Sequence, residues 1–236
     1  MRKLRVAAFY PHPDDMEAQV AGTLLKYVAQ GHDVHVVIAM DGRRGRGTLP
    51  DSVTWPEIVE LRKREAIAGA RHLGVTPTFL GIEDHRLLED KACYETIIKE
   101  MENLNPDLIF TCSPNDYHND HRALARLMIN VSWTPVFFSD TKAGVDFNPD
   151  FYVDVTAQMP TKIEMLKEHS SQLKEDSVDT LVALNRLRGI QCGTPAIVYA
   201  EAFKLHKRTS WVKAYEMLPD DNYEPPIQIV PTTEKN

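Results

Sequence analysis

A chain of 236 residues, 43% of them hydrophobic, is long enough to bury the core of one large α/β domain. Its 34 acidic residues outnumber the 27 basic ones, the net charge is −7 and no long basic block occurs, which argues against nucleic acid or an anionic membrane as the main partner. Cys93, Cys112 and Cys192 lie far apart, so neither a disulfide framework nor a thiolate zinc site is indicated. We expect a small-molecule substrate and reduced cysteines in the core.

The start of the chain carries no recognisable targeting pattern. Met1-Arg2-Lys3 leads into an apolar segment that is too short for the hydrophobic region of a signal peptide. No apolar run approaches the roughly 18 residues of a membrane-spanning helix. We therefore expect a cytoplasmic protein without a membrane partner.

Short apolar segments alternate with helical patterns over the first two thirds of the chain. Strands are predicted at residues 4–9, 34–40, 76–80, 108–112 and 135–138. The helical patterns between them cover about 17–30, 56–73, 94–104 and 124–131. Because parallel neighbours need crossover connections, this alternation predicts an α/β fold, a single domain with a mostly parallel sheet and helices on both faces.

The last third of the chain is less regular. We predict a strand at 151–155, one or two helices between 159 and about 188, and a final strand at 196–203. Residues 1–217 are expected to form the domain, and 218–236 an extended tail, because Pro219, Pro225, Pro226 and Pro231 prevent a helix. The apolar residues of this tail are expected to pack on the domain or on a second subunit of a homo-oligomer; they are Tyr223, Ile227, Ile229 and Val230.

Two polar motifs follow predicted strands. Tyr10-Pro11-His12-Pro13-Asp14-Asp15 ends the first strand, and Tyr117-His118-Asn119-Asp120-His121 comes after the fourth. In doubly wound sheets, ligands bind outside the carboxyl ends of the strands where the strand order reverses, commonly between the first and fourth strands. The two motifs are therefore predicted to meet in space.

A purely structural role for the first motif is the alternative. Asp14 or Asp15 could accept hydrogen bonds from the first free N–H groups of the following helix and favour the positive end of its dipole. The second motif argues against this interpretation, since isolated helix caps do not require a matching cluster elsewhere.

The residue types favour a metal site. His12, Asp15 and His121 form the ligand set of catalytic zinc, two imidazoles and one carboxylate with an open position. The same set also occurs in non-haem Fe(II) oxygenases, but the α/β alternation gives no hint of the sandwich fold that such enzymes use.

Three further residues of the motifs have predicted roles in proton transfer. Asp14 adjoins a ligand and is the candidate general base. Asp120 is placed to orient an imidazole, as carboxylates behind metal ligands do. His118 lies three residues before His121, so that the two rings share a helical face, and we expect it to stay protonated and to stabilise an oxyanion.

Together, the two motifs resemble the LmbE-like, or PIG-L, family of metal-dependent N-deacetylases. The resemblance implies a Rossmann-like fold, a bound metal, and an N-acylated small molecule of the N-acetylglucosamine type as substrate. The ligand set favours Zn²⁺ as that metal, with Fe²⁺ as the other candidate. Its assignment of three ligands and a base matches the one above. Other landmarks of the family are Arg64-Glu65, Leu80-Gly81 before Asp84, Lys162 with His169, Ser171-Gln172, and Ala200-Glu201-Ala202-Phe203. Arg43, Arg64 and Asp84 are the predicted substrate contacts.

The chain departs from this family in two places. Met16 follows the double aspartate, where family members often carry Glu, and the loop after the second strand holds Arg43, Arg44 and Arg46, where that loop is usually acidic. Arginines over the site favour a carboxylate or phosphate on the substrate. We therefore expect a charged conjugate in place of a neutral sugar.

Other functions have weaker support. The glycine-rich loop at 41–47 does not match a phosphate-binding loop, and no Gly-x-Gly-x-x-Gly follows the first strand, which argues against nucleotide binding. An amidase acting on a non-sugar conjugate and a non-catalytic metal-binding module remain alternatives. The remaining histidines are interpreted as structural, with His85 the candidate for the mouth of the site; they are His32, His35, His72, His85, His169 and His206.

Overall fold

The computed structural model describes residues 2–87, 90–144, 146–206 and 217–219. Its strands are β1 (Arg5–Tyr10), β2 (Asp33–Met40), β3 (Thr78–Ile82), β4 (Leu108–Cys112), β5 (Val136–Ser139), β6 (Phe151–Asp154) and β7 (Ala200–Leu205). Its helices are α1 (Asp15–Gln19), α2 (Ala21–Ala29), α3 (Trp55–Arg71), α4 (Lys91–Leu104), α5 (Asn119–Val131), α6 (Met159–Lys167) and α7 (Glu175–Gln191).

All seven strands form one sheet in the order β3-β2-β1-β4-β5-β7-β6. The five strands from β3 to β5 are parallel, and β7 runs antiparallel to both β5 and β6. The predicted α/β class with a mostly parallel sheet is confirmed. The prediction that the first and fourth strands are neighbours is also confirmed, since Val6 pairs with Leu108 and Ala8 with Phe110.

Helices cover both faces of the sheet, as alternate residues of β1 demonstrate. Val6, Ala8 and Tyr10 pack into a cluster with side chains of α1, α2, α3 and α6. Ala7 and Phe9 point to the opposite face, where α4 and α5 cover them. Burial on both faces explains why β1 reads as a continuous apolar run.

The helix predicted at 17–30 is divided at Val20, whose φ of −142° lies outside the helical region. The second part begins there because the carboxylate of Glu201, on β7, accepts hydrogen bonds from the backbone N–H groups of Gly22 (2.9 Å) and Thr23 (2.8 Å). A carboxylate is favourable at this positive end of a helix. The partner lies 178 residues away in sequence, so no local pattern predicts the break.

Two smaller differences from the predictions occur. The final strand spans Ala200–Leu205 instead of 196–203. Of the three cysteines expected in the core, Cys112 is buried, while Cys93 and Cys192 are only partly buried. Most of the tail at 218–236, including the four apolar residues singled out above, lies outside the described residues. The domain boundary at 217 therefore stays a prediction.

Among the described helices, none has the length and apolar character needed to cross a membrane.

Candidate active site

The loop after β1 holds its carboxylates in a strained conformation. Asp14 has a φ of 125°, a region that residues other than glycine rarely adopt. Its side chain makes no cap hydrogen bond; it accepts one from Arg62 Nη2 at 3.1 Å. Asp15 Oδ2 accepts from the backbone N–H of His12 at 2.9 Å, which closes the turn. Neither aspartate caps α1 with its side chain, so the structural interpretation of this motif is not supported.

The predicted ligands come together where the ends of β1 and β4 meet. Asp15 Oδ2 lies 3.2 Å from His12 Nδ1, and Asp15 Oδ1 lies 3.1 Å from His121 Nε2. The imidazoles of His12, His118 and His121 each offer a nitrogen within 4.8 Å of the other two. His12 and His121 are buried and His118 is half-buried, and nitrogen donors at this spacing fit a divalent metal. The three imidazoles form a second candidate ligand set beside the predicted one.

Two carboxylates lie behind these imidazoles. Asp120 Oδ2 is 3.2 Å from His12 Nε2, where we expected an orienting carboxylate. Asp116 Oδ2 is 2.8 Å from His121 Nδ1, and Asp116 Oδ1 accepts the backbone N–H of His118 at 2.9 Å. Both ring nitrogens of His12 are thus engaged by carboxylates, so a metal ligated by His12 has to replace one of these contacts.

The carboxylates determine which protonation states the buried groups favour. Burial lowers the pKa of His12, but hydrogen bonds to Asp120 and Asp15 outweigh burial and raise that pKa from 6.5 to about 9. Burial also opposes the charged form of His121, whose pKa is nevertheless raised well above 6.5, chiefly by the charge of Asp15. The pKa of Asp15 is held well below its usual value by the charge of His121 and the hydrogen bond to His12, which outweigh burial. Protons and a metal therefore compete for the same nitrogens.

His118 differs from the expectation that it stays protonated. Burial and the neighbouring imidazoles of His12 and His121 lower its pKa below 6.5. Its Nδ1 accepts the backbone N–H of Asp120 at 3.2 Å and thereby caps α5. The ring is consequently a neutral imidazole whose Nε2–H remains available as a donor.

Asp14, the predicted base, is held by a buried arginine. Arg62 also donates to the backbone carbonyls of Pro13 (2.7 Å) and Gly42 (2.9 Å), so it joins two loops and the base. Burial raises the pKa of Asp14 above its ordinary value, and the Arg62 charge opposes this shift. A carboxylate with a raised pKa is a better proton acceptor than an ordinary surface aspartate.

These groups line a cavity of about 260 Å³. The catalytic and metal candidates of both motifs face it, and the rest of its wall is formed by Arg44, Gly45, Arg62, Asp84, His85, Tyr117 and Gln172. The expectation that His85 lies at the mouth is confirmed. The structure therefore places the candidate base, a candidate metal centre and a neutral imidazole around one space large enough for a small substrate.

The three predicted substrate contacts have different positions. Asp84 lines the cavity, but its carboxylate accepts the backbone N–H groups of Gly42 (2.9 Å) and Arg44 (2.8 Å) and so fixes the loop. Arg43 turns away to Asp41, with an Nε–Oδ2 distance of 2.8 Å. Arg64 is exposed on α3 and does not line the cavity. The structure thus gives no support for direct substrate contacts by Arg43 or Arg64.

Arg62 and Asp116 are the main site residues that the sequence analysis missed. On α3, successive residues are about 100° apart, so Arg64 projects roughly opposite to Arg62. The buried residues Arg62, Glu65, Ala66 and Gly69 share one face, and this spacing could have identified Arg62. Asp116 lies two residues before His118 in a loop, where proximity to a candidate ligand was the available signal.

The sequence of this chain is similar to those of several known proteins. The family model described as PIG-L, GlcNAc-PI de-N-acetylase, matches residues 7–132. The diacetylchitobiose deacetylase of Thermococcus kodakarensis is 27% identical over 192 residues, which cover 73% of this chain and 71% of that protein. A probable N-acetyl-alpha-D-glucosaminyl L-malate deacetylase 2 of Bacillus anthracis is 29% identical over 189 residues, covering 71% of this chain and 80% of that one.

A solved structure extends the comparison of the fold. The 4-carboxy-2-hydroxymuconate hydratase of Pseudomonas putida KT2440 superposes with a TM-score of 0.77 at 23% identity, covering 86% of this chain and 96% of that one. This likeness shows the fold alone.

Proposed function

This chain belongs to the PIG-L (LmbE-like) family of hydrolytic enzymes, and on that premise we propose that it is a zinc-dependent N-deacetylase. The proposed substrate is a small molecule with an N-acetylglucosamine-type amide, as the names of the two deacetylase relatives suggest. The observation that carries the proposal is the position of Asp14, held by Arg62 at 3.1 Å on the wall of the cavity that the candidate metal ligands share.

His12, Asp15 and His121 are the residues that would hold the metal. A bound divalent metal supplies Lewis acidity, which polarises an amide carbonyl and lowers the pKa of water. The carboxylates of Asp116 and Asp120 fix the ring orientations of His121 and His12 from behind. The chain thus provides ligands and an outer layer that orients them.

Asp14 and His118 perform the proton and charge handling in this proposal. Asp14 takes a proton from the attacking water as the new C–O bond forms, and it returns that proton to the nitrogen as the C–N bond breaks. The neutral His118 donates a hydrogen bond from Nε2–H to the developing oxyanion. Acetate and a free amine are the products.

Acetate release provides the direct test. Metal-free protein is reloaded with Zn²⁺ or Fe²⁺ and assayed with N-acetylated sugars, their conjugates and acylated thiol conjugates that lack a sugar. We expect acetate from the sugar-containing amides, with Zn²⁺ supporting the reaction. Release only from non-sugar conjugates would favour the alternative amidase. No release with either metal would favour a metal-binding module and contradict the proposal.

We also propose a cytoplasmic location and a homo-oligomer. Support comes from the net charge of −7, the cysteines without a disulfide pattern, and the apolar residues predicted in the tail. Truncation after Met217 should lower the oligomer mass measured by light scattering or the melting temperature measured by calorimetry. No change in either quantity would contradict a packed tail.

A further inference from the structure

The loop from Asp41 to Gly47 contains three arginines, and the structure gives them different surroundings. Arg43 forms ion pairs with Asp41 and with Glu83, the latter with an Nη1–Oε2 distance of 3.3 Å. Arg46 donates from Nη1 to the backbone carbonyls of Pro50 (2.7 Å) and Val53 (3.1 Å). Both guanidinium groups are thus used to hold the loop and its surroundings together.

Arg44 differs from both. It lines the cavity, and its side chain is 46% exposed. Its guanidinium lies 5.6 Å from the ring centre of Trp55 and forms a long ion pair with Glu83, with an Nη2–Oε1 distance of 3.7 Å. Since Glu83 lies closer to Arg43, Arg44 keeps N–H donors for a ligand, while the Trp55 ring restricts its orientation.

The backbone around Arg44 is fixed in advance. The carboxylate of Asp84 accepts the N–H groups of Gly42 and Arg44, and Gln172 Nε2 donates to the carbonyl of Gly45 at 2.8 Å. Arg62 adds a fourth contact, from Nη1 to the carbonyl of Gly42. A side chain on a loop held at several points loses less conformational entropy when it binds a ligand.

The charges deeper in the cavity have partners within the protein. Asp14 pairs with Arg62, and Asp15 pairs with His12 and His121. Asp120 faces His12 and His85, and Asp84 holds backbone N–H groups. Among the described residues that line the cavity, Arg44 is therefore the cation with the weakest internal pairing, a 3.7 Å contact with Glu83, and its side chain is half exposed.

We propose that Arg44 is the specificity-determining residue of this site and binds a carboxylate on the amine portion of the substrate. This inference rests on the proposed function. One guanidinium matches a carboxylate through two parallel N–H···O bonds. A phosphate dianion fits less well, because four aspartates also line the cavity and would repel the additional charge; they are Asp14, Asp15, Asp84 and Asp120.

Two substrate series test this proposal with the zinc-loaded enzyme. The first varies carbon 6 of the sugar: N-acetylglucosamine, N-acetylglucosaminuronic acid and N-acetylglucosamine 6-phosphate. The second compares the methyl and carboxymethyl glycosides of N-acetylglucosamine. We expect kcat/KM for one of the carboxylates to exceed that of its neutral counterpart by at least ten-fold. No such preference in either series, or a larger preference for the phosphate, would overturn the proposal.

Variants identify the responsible arginine. Arg44→Gln should reduce the carboxylate-to-neutral ratio of kcat/KM to within two-fold of one, mainly through KM. Arg43→Gln and Arg46→Gln are matched controls on the same loop and should keep the wild-type ratio within two-fold. Equal loss of the ratio in all three variants would point to loop disruption and overturn the assignment to Arg44.

A binding measurement separates this inference from the proposed reaction. The deacetylated product, glucosaminuronic acid, is titrated into zinc-loaded wild type and Arg44→Gln by calorimetry, with glucosamine as the reference that carries the same amine and lacks the carboxylate. If no substrate releases acetate, the proposed function fails, while a ten-fold weaker binding of the acid to Arg44→Gln would still support the carboxylate site. Equal affinity of both proteins for the acid would overturn it.

Discussion

Two groups of charged residues adjoin the two ends of α1 along the chain, one around Asp14 before it and one around Glu201, which binds the backbone that follows it. The two groups differ in how completely their charges are paired within the protein. Glu201 accepts hydrogen bonds from the backbone of Gly22 and Thr23 and from Thr23 Oγ1, and it pairs with Lys162 Nζ at 2.6 Å; both charged side chains are fully buried. In the other group, His12 and Asp15 are buried, Asp14 has a side chain that is 19% exposed, and all three face a cavity. Burial of charge alone therefore does not identify a catalytic site; access and donors left for a ligand do.

The largest expected effect is on kcat and metal content, and it comes from the adjacent aspartates Asp14 and Asp15 in the group that faces the cavity. Asp14→Asn removes the proton acceptor but leaves the candidate ligands, so kcat should fall by about 10² to 10⁴ with the metal content unchanged. Asp15→Asn should lower the metal content, because a neutral amide is a poor zinc ligand. Plasma emission and steady-state kinetics measure the two quantities. Identical responses of the two variants would contradict the separate roles of base and ligand.

Substitutions in the fully buried pair of Lys162 and Glu201 should lower the free energy of unfolding. Lys162→Met leaves the Glu201 carboxylate buried without its cation, which costs about 3–5 kcal/mol in comparable buried pairs. Urea unfolding of the variant measures this loss, and metal bound per folded protein should stay at the wild-type level. Lys167→Met, which removes an exposed pair with Glu164, is the matched control and should leave the free energy of unfolding close to that of wild type, because water screens the pair. A Lys162 variant as stable as this control would mean that the buried pair is dispensable.

The metal-free protein should lose stability as the pH rises. The folded-state pKa of His12, about 9, exceeds the ordinary value of 6.5, so its contribution is fully present below pH 6.5 and is lost as the pH rises through 9. The shift corresponds to about 3 kcal/mol. Calorimetry of chelator-treated wild type and His12→Gln from pH 6 to 10 gives the contribution of His12 as the difference in unfolding free energy between the two proteins. A difference that is constant over this range would contradict the assigned hydrogen bonds.

The smallest expected effect concerns Asp116. Asp116→Asn removes the carboxylate that faces His121 Nδ1, and losses of such partners weaken metal binding by about 10- to 100-fold. Competition with a chelator measures the affinity. Asp107→Asn is the control: this half-buried aspartate pairs with Arg2 at the opposite end of β4, and the variant should bind metal like wild type. Unchanged affinity in Asp116→Asn would remove Asp116 from the metal centre.

The predictable part of the molecule is the part encoded locally. The apolar runs and helical spacings identified the parallel sheet, and His12 and His121 could be paired because each follows a strand of that sheet. Contacts between distant segments were not accessible: Glu201 starts a helix near residue 21, and Arg62 reaches Asp14 from another helix. The sequence also does not determine the direction in which a long side chain points. Arg43 and Arg44 are adjacent, but of these two Arg44 lines the cavity, whereas Arg43 pairs with Asp41.

The positive φ of Asp14 has a consequence for the evolution of this enzyme. A carboxylate-bearing residue stands where the backbone favours glycine, and such conformations cost on the order of 1–3 kcal/mol. The stability of the fold therefore favours glycine at position 14, whereas turnover requires the carboxylate. Selection for thermal stability without a screen for turnover should favour Asp14→Gly. The thermostabilised variants obtained in that way would be inactive.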